Sequence, residues 1–247
     1  MTQKKILVTG SSSGIGLAIA KELKKKGNLV IINGRNKKKL SKICKKENFF
    51  SLESGNLSIP NEAKRVVVNS YKKLGGLDVV ICNAGESKSC KPGKENFKDW
   101  NKMFNQNFFS ASNVIENSKN YLKKTNGKIL CISSICGNEL IKGAPITYST
   151  AKAALNFYVK SLSHYLPKNI TINLISPGNI LFNNSVWDKK IKVNKKKVYK
   201  ILKENVPLNK LGSLRDIVDI VCYLISEKSN YITGSNFVID GGQTTKI

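Results

Sequence analysis

The stretch Thr9-Gly10-Ser11-Ser12-Ser13-Gly14-Ile15-Gly16 decides the fold. It follows Lys5–Val8, an apolar run that reads as a short buried strand. It leads into Gly14–Lys26, where Ile15, Ile19 and Leu23 recur at helical spacing until a lysine run and Gly27 stop the helix. Glycines let a backbone turn tightly and approach a pyrophosphate, and the free N–H groups and dipole of a helix N-terminus favour an anion. The spacing is Gly-x-x-x-Gly-x-Gly, which differs from the commonest dinucleotide fingerprint. Its place between strand and helix still predicts a phosphate cradle made of Gly10, Ser12, Ser13, Gly14, Ile15 and Gly16.

Outward from this turn the alternation continues. Strand-like runs at Leu29–Ile32, Phe49–Leu52, Leu77–Ile81, Lys128–Ile132, Thr171–Ile175 and Asn236–Ile239 are separated by helical patterns, among them Trp100–Leu122 and Thr147–Leu166, the latter ended by Pro167. Right-handed crossovers convert that order into an α/β, Rossmann-type, doubly wound parallel sheet of about seven strands with helices on both faces. No repeat or linker divides the chain, so residues 1–247 are expected to form one domain, with a substrate lid around 183–210. Ligands of open α/β sheets bind beyond the carboxyl ends of the strands. The distinctive residues fall there: the glycine turn, Arg35 after the second strand, Asn83-Ala84-Gly85 after the fourth, Ser134 after the fifth and Pro177-Gly178 after the sixth.

Two local patterns sharpen the chemistry. An NAD site usually carries an acid about 20 residues beyond the glycines, to bond the ribose 2′-hydroxyl. Here that stretch is Asn33-Gly34-Arg35-Asn36, and a guanidinium suits a 2′-phosphate, so the expected cofactor is NADP(H), with NAD possible. Tyr148-Ser149-Thr150-Ala151-Lys152 places Tyr and Lys on one helical face. A tyrosine near pKa 10 exchanges its proton reluctantly at neutral pH, and a neighbouring ammonium, with the positive ring of an oxidised nicotinamide, favours the phenolate. Tyr148 is therefore the expected acid/base, and Ser134 the hydrogen-bond donor to the substrate oxygen.

Together these residues resemble the short-chain dehydrogenase/reductases, over essentially the whole chain. Gly10, Gly14 and Gly16 match that family's cofactor turn. Asn83–Gly85 resembles its Asn-Ala-Gly segment, and Asn107, seven residues after Trp100, its active-site Asn. Ser134, Tyr148 with Lys152, and Pro177-Gly178 resemble its remaining motifs, and the tail Tyr231-Ile232-Thr233-Gly234 with Asp240-Gly241-Gly242 is similar too. The resemblance implies Tyr148 as acid/base, Ser134 as substrate orienter, Lys152 as ribose ligand and pKa depressor, and Asn107 as holder of a water in the proton relay. It implies cofactor contacts from Asn56, Leu57 and Ile180 as well. Departures from the family pattern are Ser13, where many NADP-using relatives are basic, Asn56 for an adenine-contacting Asp, Cys82 for Asn, and Phe182 where a Thr often touches the carboxamide. The Ser134–Tyr148 segment is also one residue longer than usual. The expected substrate is a small or carrier-bound carbonyl compound, with 3-oxoacyl thioesters first. The alternatives are a sugar or nucleotide-sugar dehydrogenase and a non-catalytic, cofactor-sensing binding protein; the complete Asn107/Ser134/Tyr148/Lys152 set argues against the latter.

Composition narrows the remaining classes. Forty per cent apolar residues suit a sizeable core, and no run approaches the roughly 20 apolar residues of a membrane span, so a cytoplasmic protein is expected. Six cysteines without a CxxC pair, and a single His164, predict reduced thiols and no metal site. The formal charge of +26 raises a nucleic-acid partner, yet only Arg35, Arg65 and Arg215 among 42 basic residues are arginines, and the lysines are dispersed. Asn and Ile are abundant beside Lys, which fits codon bias, and no nucleic-acid partner is expected. The apolar residues Phe104, Phe108, Phe157 and Tyr158 exceed what one helix face can bury in a monomer, so a homotetramer is expected.

Overall fold

The computed structural model describes residues 3–245; the ends of the expected domain, 1–2 and 246–247, lie outside the described residues. In chain order the elements are β1 Lys5–Val8, α1 Gly14–Lys25, β2 Leu29–Gly34, α2 Lys37–Lys46, β3 Ser51–Ser54, α3 Pro60–Leu74 and β4 Val79–Cys82. They continue with α4 Phe97–Phe104, a π turn Asn105–Phe109, α5 Ser110–Leu122, β5 Lys128–Ile132, α6 Ile146–Leu162, β6 Thr171–Pro177 and β7 Ile180–Leu181. The chain closes with α7 Val186–Asn205, β8 Gly212–Ser213, α8 Leu214–Leu224 and β9 Asn236–Ile239. Seven parallel strands form one sheet in the order β3-β2-β1-β4-β5-β6-β9, and β7 pairs with β8 in a small separate ribbon. The chain departs from β1 on both sides, Ile6 pairing with Val30 and with Val79, and that reversal opens the crevice where the site lies.

Alternation along each strand divides the core in two. Ile6, Val8, Val30, Ile32, Ile81 and Leu130 face α1, α2 and α8, meeting Ile19, Leu23, Leu40, Ile217 and Val221. Their neighbours Leu7, Ile31, Val80, Ile129 and Leu174 face α3, α5 and α6, meeting Val66, Val67, Val114, Ile115, Leu155 and Val159. Each fully buried Ile, Leu or Val contributes about 1.5–3 kcal/mol against exposure. Strands buried on both sides need apolar residues at every position, which is why these runs show no polar alternation.

Several expected boundaries move. The strand expected at Phe49–Leu52 runs over Ser51–Ser54, because Phe49 closes the C-terminal turn of α2, its N–H donating to Cys44 O at 3.0 Å, while its ring enters the core. The strand expected at Leu77–Ile81 likewise shifts to Val79–Cys82. The helix expected from Trp100 begins at Phe97, under a reciprocal Asn96–Asp99 cap, and is interrupted by the π turn. The helix expected to reach Leu166 ends at Leu162, leaving His164 exposed beyond it. Residues 183–210 contain α7, capped by the Ser185 hydroxyl, which accepts from Asp188 N at 3.0 Å. This helix kinks at Asn194 and carries its own apolar cluster of Val198, Leu202 and Val206 with Trp187 and Ile191. No helix among the described residues is long and apolar enough to cross a membrane.

Candidate active site

The glycine turn and the Asn83-Ala84-Gly85 segment lock together at the carboxyl edge. The Thr9 hydroxyl donates to Ile81 O at 3.1 Å and accepts from Asn83 N at 2.9 Å and Ala84 N at 3.1 Å. The Asn83 amide donates to Thr9 O and Gly10 O at 3.2 and 3.1 Å. A Cβ on Gly10 would lie 2.7 Å from Ala84 Cα, and one on Gly16 would enter the Asn83 amide, so these glycines answer first to the packing of the two turns. At the mouth of α1, Ser13 makes no side-chain cap and the first turn carries no acid. Uncapped N–H donors at a helix start fit an anion, and a dinucleotide pyrophosphate fits this cradle. The Phe182 ring stands against Gly14, within 3.0 Å of where a Cβ would be, so the aromatic side chain forms the wall expected of a hydroxyl.

Along the edge, Asn33-Gly34-Arg35-Asn36 resolves into distinct parts. Asn33 is buried, its amide donating to Glu53 O at 2.9 Å and its backbone N–H to Ser11 Oγ at 3.0 Å. Asn36 caps α2 by accepting from Lys39 N at 2.9 Å. Arg35 is left exposed, without a hydrogen bond or ion pair among the described residues. The nearby carboxylate, Glu53, is spent on Lys73 at 2.6 Å and Arg65 at 3.6 Å. This end offers a free guanidinium and no free acid, which fits a 2′-phosphate better than a bare ribose. Asn56 Oδ1 accepts from the Ser58 hydroxyl at 3.0 Å, and its N–H₂ donors remain to bond a base. The Leu57 and Ile180 side chains are buried in the core, so only their backbones face the site. The half-buried Ile15 packs on the same core. Pro177 ends β6, and Gly178 lies so close to Asp240 that a Cβ would sit 2.7 Å from its Cβ.

The four expected catalytic residues arrive from three elements. Ser134 is buried just past β5, where its hydroxyl accepts from Cys136 N at 3.2 Å and keeps its own proton to donate. Tyr148 and Lys152 come from α6, the Lys152 Nζ lying 6.0 Å from the Tyr148 ring centre and donating to Ile132 O at 2.9 Å. Burial pushes the Tyr148 phenol up to about 12; the Ser134 hydroxyl beside it pulls the other way, and the Cys136 thiol adds a smaller upward push. The expected depression by Lys152 is thus not produced by the protein alone. Burial also brings Lys152 down to about 8, opposed by the Cys131 and Cys82 thiols. Asn107 lies in the π turn, an irregularity frequent at functional sites. Its amide donates to Glu86 O at 2.9 Å and Met103 O at 3.1 Å, and its Oδ1 accepts from Glu86 N at 3.2 Å. The carboxamide therefore fastens the segment after Gly85, which lies against both Asn107 and Lys152.

Sequence reasoning passed over Thr9, Glu86 and Cys136. Thr9 stood inside the quoted turn with no role, although a hydroxyl between a strand end and glycines has few functions besides bonding backbone. Glu86 acts through its main chain, which leaves no mark in residue type.

Comparison with known proteins extends the geometry. A family model described as enoyl-(acyl carrier protein) reductase matches residues 10–244. The chain is 32% identical over 252 residues to the 3-oxoacyl-[acyl-carrier-protein] reductase FabG of Buchnera aphidicola subsp. Baizongia pistaciae, covering 98% of this chain and 97% of the relative. It is 31% identical to the glucose 1-dehydrogenase of Gluconobacter oxydans, covering 98% and 92%. Among solved structures, the L-sorbose reductase of Gluconobacter frateurii, complexed with NADPH and L-sorbose, superposes with a TM-score of 0.90 at 25% identity, covering 100% of this chain and 98% of that one.

Burial of the Lys152 ammonium has a measurable cost. Its folded-state pKa lies below its unfolded value of 10.5, so the unfolded chain binds more protons between about 8 and 10.5, and this group's contribution to stability is lost as pH falls through about 8. Lys152→Met removes that penalty and strands one acceptor, Ile132 O. At pH 7 the variant should be more stable by about 2 kcal/mol in urea unfolding, with the gap closing as pH rises toward 10.5. A less stable variant at pH 7 would contradict the burial cost.

Proposed function

This chain belongs to the short-chain dehydrogenase/reductase family, and from that premise we propose that Tyr148, Ser134 and Lys152 carry out the interconversion of a ketone and a secondary alcohol with NADP(H). The observation that carries the reading is the meeting of the Ser134 and Tyr148 hydroxyls at the carboxyl edge, above a buried ammonium. NADPH, when bound, supplies the hydride. Ser134 donates a hydrogen bond to the carbonyl oxygen, and the Tyr148 phenol, kept protonated by burial, gives its proton to that oxygen as negative charge develops. Lys152 then faces the phenolate it helps to stabilise. Asn107 keeps a water in the proton relay, and its carboxamide, bonded to the main chain of Glu86, holds the segment after Gly85 in place. Gly10 to Gly16 hold the pyrophosphate, Arg35 the 2′-phosphate, Asn56 and Leu57 the adenine side, and Asn83 to Gly85 with Pro177, Gly178 and Ile180 the remainder.

For the substrate we favour a 3-oxoacyl thioester on an acidic carrier, in keeping with the acyl-carrier relatives. The exposed lysines of α7, including Lys189, Lys190, Lys195, Lys196 and Lys197, give the lid a field that attracts such a partner. A keto-sugar or nucleotide-sugar is the second reading, favoured by the relatives named for glucose and sorbose. The assembly we propose is a cytoplasmic homotetramer. Phe108 and Tyr158 pack on the core and on each other, and Phe104 is half-buried, but Phe109 and Phe157 stay exposed on α4–α6. Beside them the buried Gln106 Oε1 lacks a hydrogen-bond partner among the described residues. Light scattering at micromolar concentration should give four times the chain mass; a monomer would contradict this arrangement.

Tyr148→Phe removes one oxygen from a site otherwise kept intact. Turnover should fall by two to four orders of magnitude, roughly the contribution of a positioned acid/base, while NADPH binding followed by fluorescence persists. Near-normal kcat would remove Tyr148 from the mechanism.

Arg35→Asp tests the cofactor end. The acid repels a 2′-phosphate and accepts from a 2′-hydroxyl, so kcat/KM should drop with NADPH and rise with NADH. A wild type that already prefers NADH would overturn the role given to Arg35.

A further inference from the structure

Pro177-Gly178 carry the chain off β6 at the carboxyl edge, and after β7 the Phe182 ring stands against Gly14 of the cofactor turn. α7 begins four residues beyond Phe182, so its first turns lie beside the site. On those turns Trp187 and Lys190 stand three residues apart, on one helical face. The Lys190 Nζ lies 4.3 Å from the Trp187 ring centre. Trp187 is itself packed against Val198, Leu202 and Val206, so the ring is a braced platform for the ammonium. Lys190 has no carboxylate or hydrogen-bond partner among the described residues. The acids of α7 are taken up elsewhere, Asp188 by Lys192 at 2.8 Å and Glu204 by Lys200 at 3.8 Å.

The ammonium also reaches the catalytic cluster. Cys136 follows Ser134 by two residues, and its half-buried thiol is close enough to act on both the Tyr148 phenol and the Lys190 ammonium. The thiol is thus the neighbour that phenol and ammonium share. Although Lys190 is exposed as a whole, its ammonium has lost part of its water. Burial draws it below the ordinary lysine value, and the Cys136 thiol opposes that shift. A cation that has given up water and holds no counter-ion gains more from an incoming anion than a fully solvated one does. A substrate whose carbonyl oxygen meets the Ser134 and Tyr148 hydroxyls, and whose chain passes over the Cys136 thiol, arrives at Lys190. We propose that Lys190 is a substrate-binding residue that takes an anionic oxygen group, carboxylate or phosphate, of the carbonyl substrate and so favours charged carbonyl compounds over their neutral counterparts. This deepens the reading given above and rests on it. It differs from the general attraction of a lysine-rich lid, because one ammonium at a fixed place keeps its effect in salt that screens a distant field.

The anion has two sources, a small substrate that is itself charged or the phosphate of a pantetheine arm, and matched pairs of substrates separate them. The first two pairs are 3-oxobutanoate with its methyl ester, and a ketohexose with its phosphate ester. The third is 3-oxobutanoyl-4′-phosphopantetheine with 3-oxobutanoyl-N-acetylcysteamine. All are assayed with NADPH at about 0.15 M salt, where charges more than roughly 8 Å apart are largely screened. In at least one pair wild type should prefer the anionic member in kcat/KM by about tenfold, the effect of a charge-assisted hydrogen bond, and the pair that shows it names the source. Lys190→Gln, at an exposed position where folding is not at stake, should reduce that preference to within about twofold, through KM more than kcat. A general disturbance of the lid affects both members of a pair alike and leaves their ratio unmoved, and Lys190→Arg, which keeps the charge, should keep the preference. Turnover of the neutral members with no preference for any anionic one, or a preference that Lys190→Gln leaves intact, overturns the inference and leaves the catalytic roles standing. No turnover of any of the six compounds overturns those roles and the inference with them.

Discussion

The Thr9–Asn83 exchange of hydrogen bonds sets how closely β1 and β4 approach at their carboxyl ends, and the rest of the site takes its positions from that approach. One hydroxyl satisfies two N–H groups and one carbonyl across the switch point, and one carboxamide satisfies two carbonyls of the glycine turn. Five bonds of this kind, at roughly 0.5–1.5 kcal/mol each, are modest beside the two apolar cores. Their effect is geometric. They hold two bare backbone turns against one another, leave room for no Cβ at Gly10 or Gly16, and so open the helix start to an anion. From Ala84 the chain runs to Gly85, which touches Asn107 and Lys152, and from there to the catalytic helix.

Burial acts on the reacting groups in opposite directions. It holds the Tyr148 phenol protonated and weakens the hold of Lys152 on its proton. In the proposed reduction Tyr148 would therefore stand ready as proton donor through burial alone, without help from the lysine. Lys152 becomes an ammonium that any added positive or negative charge in the crevice will tune. The buried Lys152 ammonium is a stability cost carried at the site, as expected where stability is given up for function.

The sheet was legible because parallel strands covered on both sides must be apolar at every position, and β1 and β5 lie where their runs predict; the edge strand β9, with Asn236 and Val238 exposed, falls on its expected residues too. The motif residues at the carboxyl edge were legible too, since their places follow from the topology. What escaped reading is of another kind. The π turn at Asn107 depends on Glu86 main-chain groups 21 residues away, and a periodic helical pattern carries no trace of it. Phe49 reads as a strand residue by type, yet the end of α2 claims it. Lys152 and Tyr148 were placed on one helical face as expected, but the sign of the tyrosine shift depends on burial, which no spacing reports.

The central claim is that the carboxyl edge of this sheet is a working carbonyl-reduction site. It is tested most directly by following NADPH absorbance at 340 nm with a panel of 3-oxoacyl thioesters (free and carrier-bound), simple ketones and keto-sugars. The account predicts consumption of NADPH with at least one carbonyl class, with one alcohol formed for each NADPH oxidised. Tight NADPH binding without turnover of any member of the panel would contradict it and assign the chain to cofactor sensing.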